Sequence, residues 1–144
     1  MGTNESTHRT GAADPRELTA GERVGEWVIE QRLAGGGFGT VYEVRHRGTQ
    51  RRAALKLLHA HLVTSAEMLA RFDREVRVIG QLRHPNIVEL VDAGFTRDGR
   101  PYLCMELVEG TELSTWIERD GRLSTDAALA VLEPPCDALA TAHD

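Results

Sequence analysis

Alternation of apolar and polar residues dominates the first part of the chain. Residues 27–33 and residues 41–46 each repeat with a period of two, which predicts two strands. Four glycines occupy the five positions from Gly35 to Gly39, and they predict the turn that joins these strands. A short apolar segment at residues 53–58, interrupted by one charge, predicts a third strand.

The pattern changes to a helical period after this strand. Thr64 and Glu67 have the spacing of a capping box, and they predict where a helix begins. The apolar stripe of this helix comprises Met68, Phe72, Val76, Ile79 and Leu82. Two further strands are predicted at residues 87–95 and 102–106, joined by a turn at residues 96–100.

The pattern in the last part of the chain predicts helices. A short helix is predicted from residue 113, and Ser124 is a good N-cap for a longer one. The stripe of the longer helix comprises Leu129, Leu132, Cys136, Leu139 and His143. Pro134 and Pro135 fall inside it, and because an interior proline costs about 3 kcal/mol or more, a break is predicted over residues 132–135.

The glycine run is the first candidate for chemistry. Glycines at a hairpin tip carry no side chains and permit positive φ, so backbone N–H groups could approach a bulky anion such as a nucleotide triphosphate. The alternative is a flexible turn without a ligand, and the run by itself does not decide between the two.

Lys56 is the second candidate. The chain has 17 basic Lys and Arg residues, and Lys56 is the one lysine, set within an apolar strand. Burying an ammonium group without a partner is costly, so Lys56 either reaches solvent at an edge or meets a fixed anion. A strand's period of two puts Ala54 on the same face, where a small residue leaves room for a flat ligand.

Glu75 is a possible partner for that lysine. It projects from the edge of the apolar helical stripe. One interpretation is a surface pair with Arg71, four residues earlier; the other is an inward carboxylate that pairs with Lys56.

These segments together resemble a known family, the protein kinases, and most of all the bacterial kinases with a eukaryotic-type Ser/Thr kinase domain. The segment LAGGGFGTVY looks like the nucleotide-covering loop, AALK like the strand-3 motif, Glu75 like the helix-C glutamate and RHPNIV like the segment after helix C. The resemblance implies an α+β fold. The chain would divide into a disordered polar tail (1–23), a kinase N-lobe with its hinge (24–108) and an incomplete helical C-lobe (109–144). The N-lobe would consist of a five-stranded antiparallel sheet with helix C.

The resemblance also implies the site. Lys56 and Glu75 would form an ion pair that positions phosphates, although helix C can swing outward in this family. Met105 would be the gatekeeper, the backbone of Glu106 and Val108 would bind adenine, and Glu112 would reach the ribose. The nucleotide-binding residues implied are Leu33, Ala34, Gly35, Gly36, Gly37, Phe38, Gly39, Val41, Ala54, Lys56, Met105, Glu106, Val108 and Glu112.

The sequence departs from the family pattern in two respects. Ala34 stands where the loop pattern has its first glycine, and the sequence contains neither the His-Arg-Asp catalytic loop nor the Asp-Phe-Gly metal ligand. We therefore expect the ATP-binding portion of a Ser/Thr protein kinase, catalytically incomplete, without the ligands for the Mg²⁺ that the complete domain uses. The alternatives are a non-enzymatic nucleotide-binding or regulatory module and a truncated, nonfunctional fragment. The partners expected are ATP or ADP, an unknown protein substrate, and further copies of the chain through the exposed last helix.

Composition excludes several other classes. A net charge of −5 gives no support for nucleic-acid binding. The sequence has no long apolar run and no apolar segment near its start, so we expect a cytoplasmic protein without a membrane span. Cys104 and Cys136 are expected to be free core thiols. His59 and His61 form an HxH pair that could bind zinc, but no third ligand lies at a suitable spacing, so a loop is favoured and no metal residue is assigned.

Overall fold

Six strands and three α-helices make up the part of the chain that the computed structural model describes, residues 17–62 and 65–143. The strands are β1 (Arg23–Val24), β2 (Trp27–Gly36), β3 (Gly39–His46), β4 (Arg52–Leu58), β5 (Leu90–Phe95) and β6 (Pro101–Glu106). The helices are α1 (Ala66–Gln81), α2 (Leu113–Asp120) and α3 (Thr125–His143), and a 3₁₀ turn, Ala60–Leu62, follows β4. This is the α+β architecture that the sequence predicts, with one strand more.

All six strands belong to a single antiparallel sheet in the order β1-β2-β3-β4-β6-β5. The sequence did not predict β1, because two residues are too few to produce an alternating pattern. Leu18 already packs against the core, and its N–H donates to the hydroxyl of Tyr42 at 3.0 Å. The folded unit therefore includes residues before position 24, where its start was predicted, while residues 1–16 of the predicted tail lie outside the described residues.

The core lies on one face of the curled sheet. Tyr42 on β3 pairs with Leu55 on β4, which pairs in turn with Cys104 on β6, and all three side chains are buried. Burying an aliphatic side chain such as that of Leu55 stabilises the fold by about 1.5 to 3 kcal/mol. The buried cluster comprises Val24, Trp27, Ile29, Tyr42, Val44, Ala53, Leu55, Leu57, Tyr102 and Cys104.

A polar cluster joins β5, at one edge of the sheet, to β2, near the other edge. Asp92 Oδ2 on β5 accepts hydrogen bonds from Trp27 Nε1 on β2, at 2.8 Å, and from the hydroxyl of Tyr102, at 3.2 Å. Asp92 Oδ1 accepts from the N–H of Ala93 at 2.8 Å. Because β3, β4 and β6 lie between β2 and β5 in the sheet, the Trp27 contact requires the sheet to curl.

Helix α1 packs on the edge of the sheet. The rings of Phe72 and Phe95 meet edge to face with centroids 5.6 Å apart, and none of the helix's own residues is fully buried. Ser65 caps the helix, its hydroxyl accepting from the N–H of Met68 at 3.3 Å, whereas the predicted cap Thr64 lies outside the described residues. The packing of α1 is thus shallow, and β5 is its main neighbour.

The segment between α1 and β5 forms a turn, so β5 begins later than predicted. The N–H of Ile87 donates to the carbonyl of His84 at 3.1 Å, which keeps residues 84–87 out of the sheet. His84 Nδ1 accepts from the N–H of Asn86 at 3.1 Å, and His84 Nε2 lies 3.0 Å from Asp137 Oδ2 on α3. This last contact joins the strand-rich part of the chain to its last helix.

Helix α3 runs unbroken through both prolines, so the predicted break is wrong. The prolines lack the N–H groups that would bond to the carbonyls of Ala130 and Val131. Ala130 is exposed and Val131 half-buried, so water can solvate the freed carbonyls without ending the helix. The predicted cap is confirmed, since Ser124 Oγ accepts from the N–H of Ala127 at 3.2 Å.

The two cysteines differ in their surroundings. Cys104 is a free thiol in the core, as predicted, but Cys136 on α3 is exposed, so the second half of that prediction is wrong. The helical period placed Cys136 on the apolar face of α3, which was expected to be buried. In the structure, the leucines of that face are exposed to solvent. Among the helices described, none has both the length and the apolar character that a membrane crossing requires.

Candidate functional site

One face of the central strands gathers the predicted adenine and phosphate residues. The register aligns Val41 on β3, Lys56 on β4 and Leu103 on β6 in one row. The next row contains Ala54 on β4 and Met105 on β6. All five residues are half-buried and face away from the core, because the residues between them in each strand are the buried ones.

The glycine turn closes the hairpin of β2 and β3 at one end of this face. Gly36 pairs with Gly39, and Phe38 at the tip is 71% exposed. None of residues 35–39 has the positive φ that the glycines were expected to permit. The need for glycine is instead steric at Gly39, where an added Cβ would lie 2.3 Å from the carbonyl oxygen of Leu57. At Gly36 and Gly37 a Cβ would meet nothing within 4 Å, so the tip is open to a large group.

That steric difference predicts the effect of adding one methyl group. Gly39→Ala should lower the free energy of unfolding by about 1 to 3 kcal/mol, because β3 and β4 must separate to admit the Cβ. Gly37→Ala is the matched control and should change it by less than about 0.5 kcal/mol. Urea unfolding followed by circular dichroism measures both, and equal midpoints would contradict the structural account.

The strand before the turn is irregular around Leu33 and Ala34, two of the predicted nucleotide-binding residues. The register of β2 shifts between Ile29 and Gln31 and again between Arg32 and Ala34. Leu33 lies in the second irregularity and is 45% exposed. Ala34 pairs with Val41 without positive φ, so alanine fits this strand position where the family pattern has glycine.

The predicted hinge follows β6. The N–H of Glu106 donates to the carbonyl of Glu89 at 3.0 Å, which fixes the end of the strand. Val108 lies beyond it and is 65% exposed. Glu112 is the N-cap residue of α2, and its Oε2 accepts from the hydroxyl of Ser114 at 3.3 Å. The predicted hinge therefore lies between the sheet and α2, with Val108 exposed.

The structure does not bring Lys56 and Glu75 together. Glu75 Oε1 accepts from Arg71 Nε at 2.8 Å, and its side chain is 58% exposed. Within the described residues, Lys56 takes part in no ion pair. Because α1 docks mainly on β5 and not on β4, Glu75 stays at the surface with the partner four residues away.

Sequence reasoning missed a carboxylate on the same face. Glu43 is 5% exposed, and its two oxygens accept from Gln31 Nε2 and Arg52 Nε, each at 2.7 Å. The Gln31 hydrogen bond, followed by that from Arg52, lowers the pKa of Glu43. Arg52 Nη1 also donates to Glu109 Oε1 at 3.0 Å, next to the hinge. The alternation of polar residues in three neighbouring strands was the available signal for this network.

The HxH pair lies in and next to the 3₁₀ turn after β4, and its two rings stack. The rings of His59 and His61 stack with centroids 5.5 Å apart and an interplanar angle of 15°. In residues 17–62 and 65–143, no group of three or more His, Cys, Asp or Glu side chains is arranged to hold a metal ion.

Comparison with known proteins gives consistent matches. The family model described as "Protein kinase domain" matches residues 27–144. The serine/threonine-protein kinase Pkn1 of Myxococcus xanthus is 40% identical over 132 residues, which is 92% of this chain and 18% of that protein. PknA of Mycobacterium tuberculosis is 37% identical over 123 residues, or 83% of this chain and 28% of that protein.

A solved structure gives the same result for the fold. The crystal structure of the M. tuberculosis PknI kinase domain superposes with a TM-score of 0.78 at 29% identity, covering 88% of this chain and 51% of that one. The chain therefore spans about half of the solved kinase domain it matches, and 18% and 28% of the two curated kinases.

Proposed function

This chain belongs to the protein kinase family, and we propose that it supplies the ATP-binding part of a serine/threonine protein kinase. One observation carries the proposal: Val41, Ala54, Lys56 and Met105 share a half-buried face between an open glycine turn and a free hinge. Such a face could pack its apolar side chains against a purine ring and bind the edge of the purine through backbone groups. Its one ammonium group could bind phosphate oxygens.

The nucleotide would lie across this face. Backbone groups of Glu106 and Val108 would bind the adenine edge, with Met105 behind the base. The Lys56 ammonium is a compact charge on a flexible stem, suited to phosphate oxygens. The open tip at Gly36 and Gly37 would let main-chain N–H groups approach the phosphates.

The residues present do not fit a resident Mg²⁺ ion. Mg²⁺ is usually bound through one or two carboxylates in addition to substrate phosphates. The sequence contains neither a His-Arg-Asp nor an Asp-Phe-Gly segment, and the described residues offer no converging ligand group. We therefore derive no catalytic step from these residues and assign to them nucleotide binding and phosphate positioning.

Pairing of Lys56 with Glu75 is part of the proposal for the nucleotide-engaged protein. In the structure described, Glu75 is held by an exposed ion pair with Arg71. Such pairs contribute only a few tenths of a kcal/mol, so releasing Glu75 costs little. The shallow contact of α1 with β5 would allow the helix to turn Glu75 towards β4.

Calorimetric titration with ATP and ADP tests the proposal. The wild-type chain should bind weakly, and Lys56→Met should weaken binding about tenfold or more, because a charge-assisted contact contributes about 1.5 to 3 kcal/mol. Arg97→Met is the matched control, since it removes one positive charge in the exposed β5–β6 turn. Equal affinity of wild type and Lys56→Met would mean that Lys56 does not contact phosphate.

A nucleotide-binding interaction module without phosphoryl transfer is the second candidate. The exposed leucines of α3, at 57% to 61%, favour it, because contiguous apolar surface often marks a partner site. Nucleotide binding together with stable capture of a partner on α3, and no phosphate transfer, would support this candidate over the first.

A further inference from the structure

His59 contacts the tip of the glycine turn twice. Its ring Nε2 lies 2.9 Å from the carbonyl oxygen of Gly36, and its main-chain N–H donates to the carbonyl of Phe38 at 3.2 Å. A carbonyl oxygen only accepts hydrogen bonds, so the ring nitrogen must carry the proton. Both the neutral Nε2–H tautomer and the imidazolium satisfy this requirement.

Apart from the pairing of Gly36 with Gly39 and the main-chain bond from His59, side chains do little to fix the shape of the tip. Gly36 and Gly37 have open space where a side chain would be, and Phe38 is 71% exposed. A glycine-rich tip of this kind has many backbone conformations of similar energy, so a single hydrogen bond can select among them. The ring of His59 supplies such a bond from outside the hairpin.

The position of one carbonyl also sets the direction of the next amide. In a trans peptide the C=O and the following N–H point in opposite directions, and the peptide unit is planar. Fixing the Gly36 oxygen towards His59 therefore orients the N–H of Gly37 away from it. That N–H is one of the main-chain donors available to a phosphate at the open tip.

We propose that His59 is a positioning residue for nucleotide phosphates, acting through the conformation of the Gly36–Gly37 peptide. The proposal rests on the nucleotide-binding function proposed above. The ring holds the peptide in one orientation before the ligand arrives, so less conformational entropy is lost on binding. A net hydrogen bond of ordinary strength corresponds to about threefold to tenfold in affinity.

Three variants of the full chain separate the ring hydrogen bond from other effects. His59→Leu removes the ring donor, and His59→Gln offers an amide N–H at similar reach. His61→Leu is the matched control, because it removes the stacked neighbour and leaves the ring contact to Gly36 in place. The main-chain bond from residue 59 to Phe38 is unchanged in all of them. His59→Ala serves as the removal variant if His59→Leu does not fold.

Two measurements are made on each variant: backbone ¹⁵N order parameters at Gly36 and Gly37 without ligand, and ATP affinity by calorimetry. We expect His59→Leu to lower the order parameters from about 0.85 to below about 0.6 and to weaken ATP binding about threefold to tenfold. His59→Gln and His61→Leu should stay within about twofold of wild type in affinity.

The outcomes keep this proposal distinct from the proposed function. Unchanged order parameters and affinity in His59→Leu would overturn it, as would an equal loss in His59→Gln and His59→Leu with unchanged order at the tip. A loss of order without a loss of affinity would also contradict it. If the wild-type chain bound no nucleotide, the proposed function would fail, and the phosphate-positioning role with it. The order parameters would then still show whether the ring anchors the tip.

Discussion

Asp92→Ala should lower the free energy of unfolding by about 2 to 4 kcal/mol, because it leaves two buried side-chain donors, Trp27 and Tyr102, without an acceptor. Trp27 is 3% exposed and Tyr102 is 6% exposed, so neither the indole N–H nor the phenol can turn fully to water. An unpaired buried donor costs about 1 to 3 kcal/mol, and two are created here. The variant should also loosen the curl of the sheet, since the link between β2 and β5 is lost.

Urea unfolding followed by far-UV circular dichroism measures this change. Asp73→Ala is the matched control, because Asp73 is an exposed aspartate on α1 and should change stability by less than about 0.5 kcal/mol. Asp92→Asn keeps one carbonyl acceptor and should fall between the two. A loss below about 1 kcal/mol in Asp92→Ala would show that water replaces the carboxylate.

The same cluster predicts that the free energy of unfolding falls at alkaline pH. Burial, followed by the charge of Asp92, raises the pKa of Tyr102 to about 12. A phenol whose pKa is higher in the folded chain than in the unfolded one stabilises the fold while it keeps its proton. Its contribution is complete below about pH 10, the unfolded value, and is lost as the pH rises towards 12. The phenol therefore remains a hydrogen-bond donor to Asp92 at neutral pH.

Self-association is the second large effect expected. Leu129, Leu132 and Leu139 on α3 are 61%, 57% and 58% exposed, and the helical period brings them to one side of the helix together with Cys136. Leaving such side chains in water forgoes about 1.5 to 3 kcal/mol each relative to burial. The isolated chain should therefore form oligomers or aggregates at concentrations where a covered surface would stay monomeric.

Light scattering at equal concentrations measures this association for the wild-type chain and three variants. Deleting residues 124–144 should improve solubility without abolishing nucleotide binding, because the predicted nucleotide-binding residues lie outside this segment. Leu132→Glu keeps the helix and adds charge to its exposed face, so it should reduce scattering as well. Ala130→Glu adds the same charge at another exposed position and is the control. A monomeric, cooperatively folded wild-type chain would mean that the leucines are covered in solution.

Local patterns were enough to predict most strands and helices. The period of two located β3, a short apolar segment located β4, and the turn at residues 96–100 located β6. In β4 and β6, fully buried residues alternate with less buried ones along most of the strand. The same period put Ala54 and Lys56 on one face, and the register of β4 agrees with this. Such features depend on residues within a few positions of one another, so a single sequence contains them.

Contacts between distant residues were not predictable in the same way. Trp27 and Asp92 are 65 positions apart, and no local pattern links an indole to an aspartate. Glu75 had two candidate partners, and in this structure the nearer one, Arg71, holds it. The two prolines were misjudged because their cost depends on whether the freed carbonyls reach water, which is a property of the folded surface.

The contrast between the two cysteines makes the chain suitable for site-selective labelling. Burial, followed by the charge of Asp92, raises the pKa of Cys104 to about 12, so at neutral pH this buried thiol is almost entirely protonated and unreactive. Cys136 is exposed on the apolar face of α3. A thiol-directed fluorophore should therefore attach at Cys136 without prior mutagenesis, and its emission would report on whatever covers that helix.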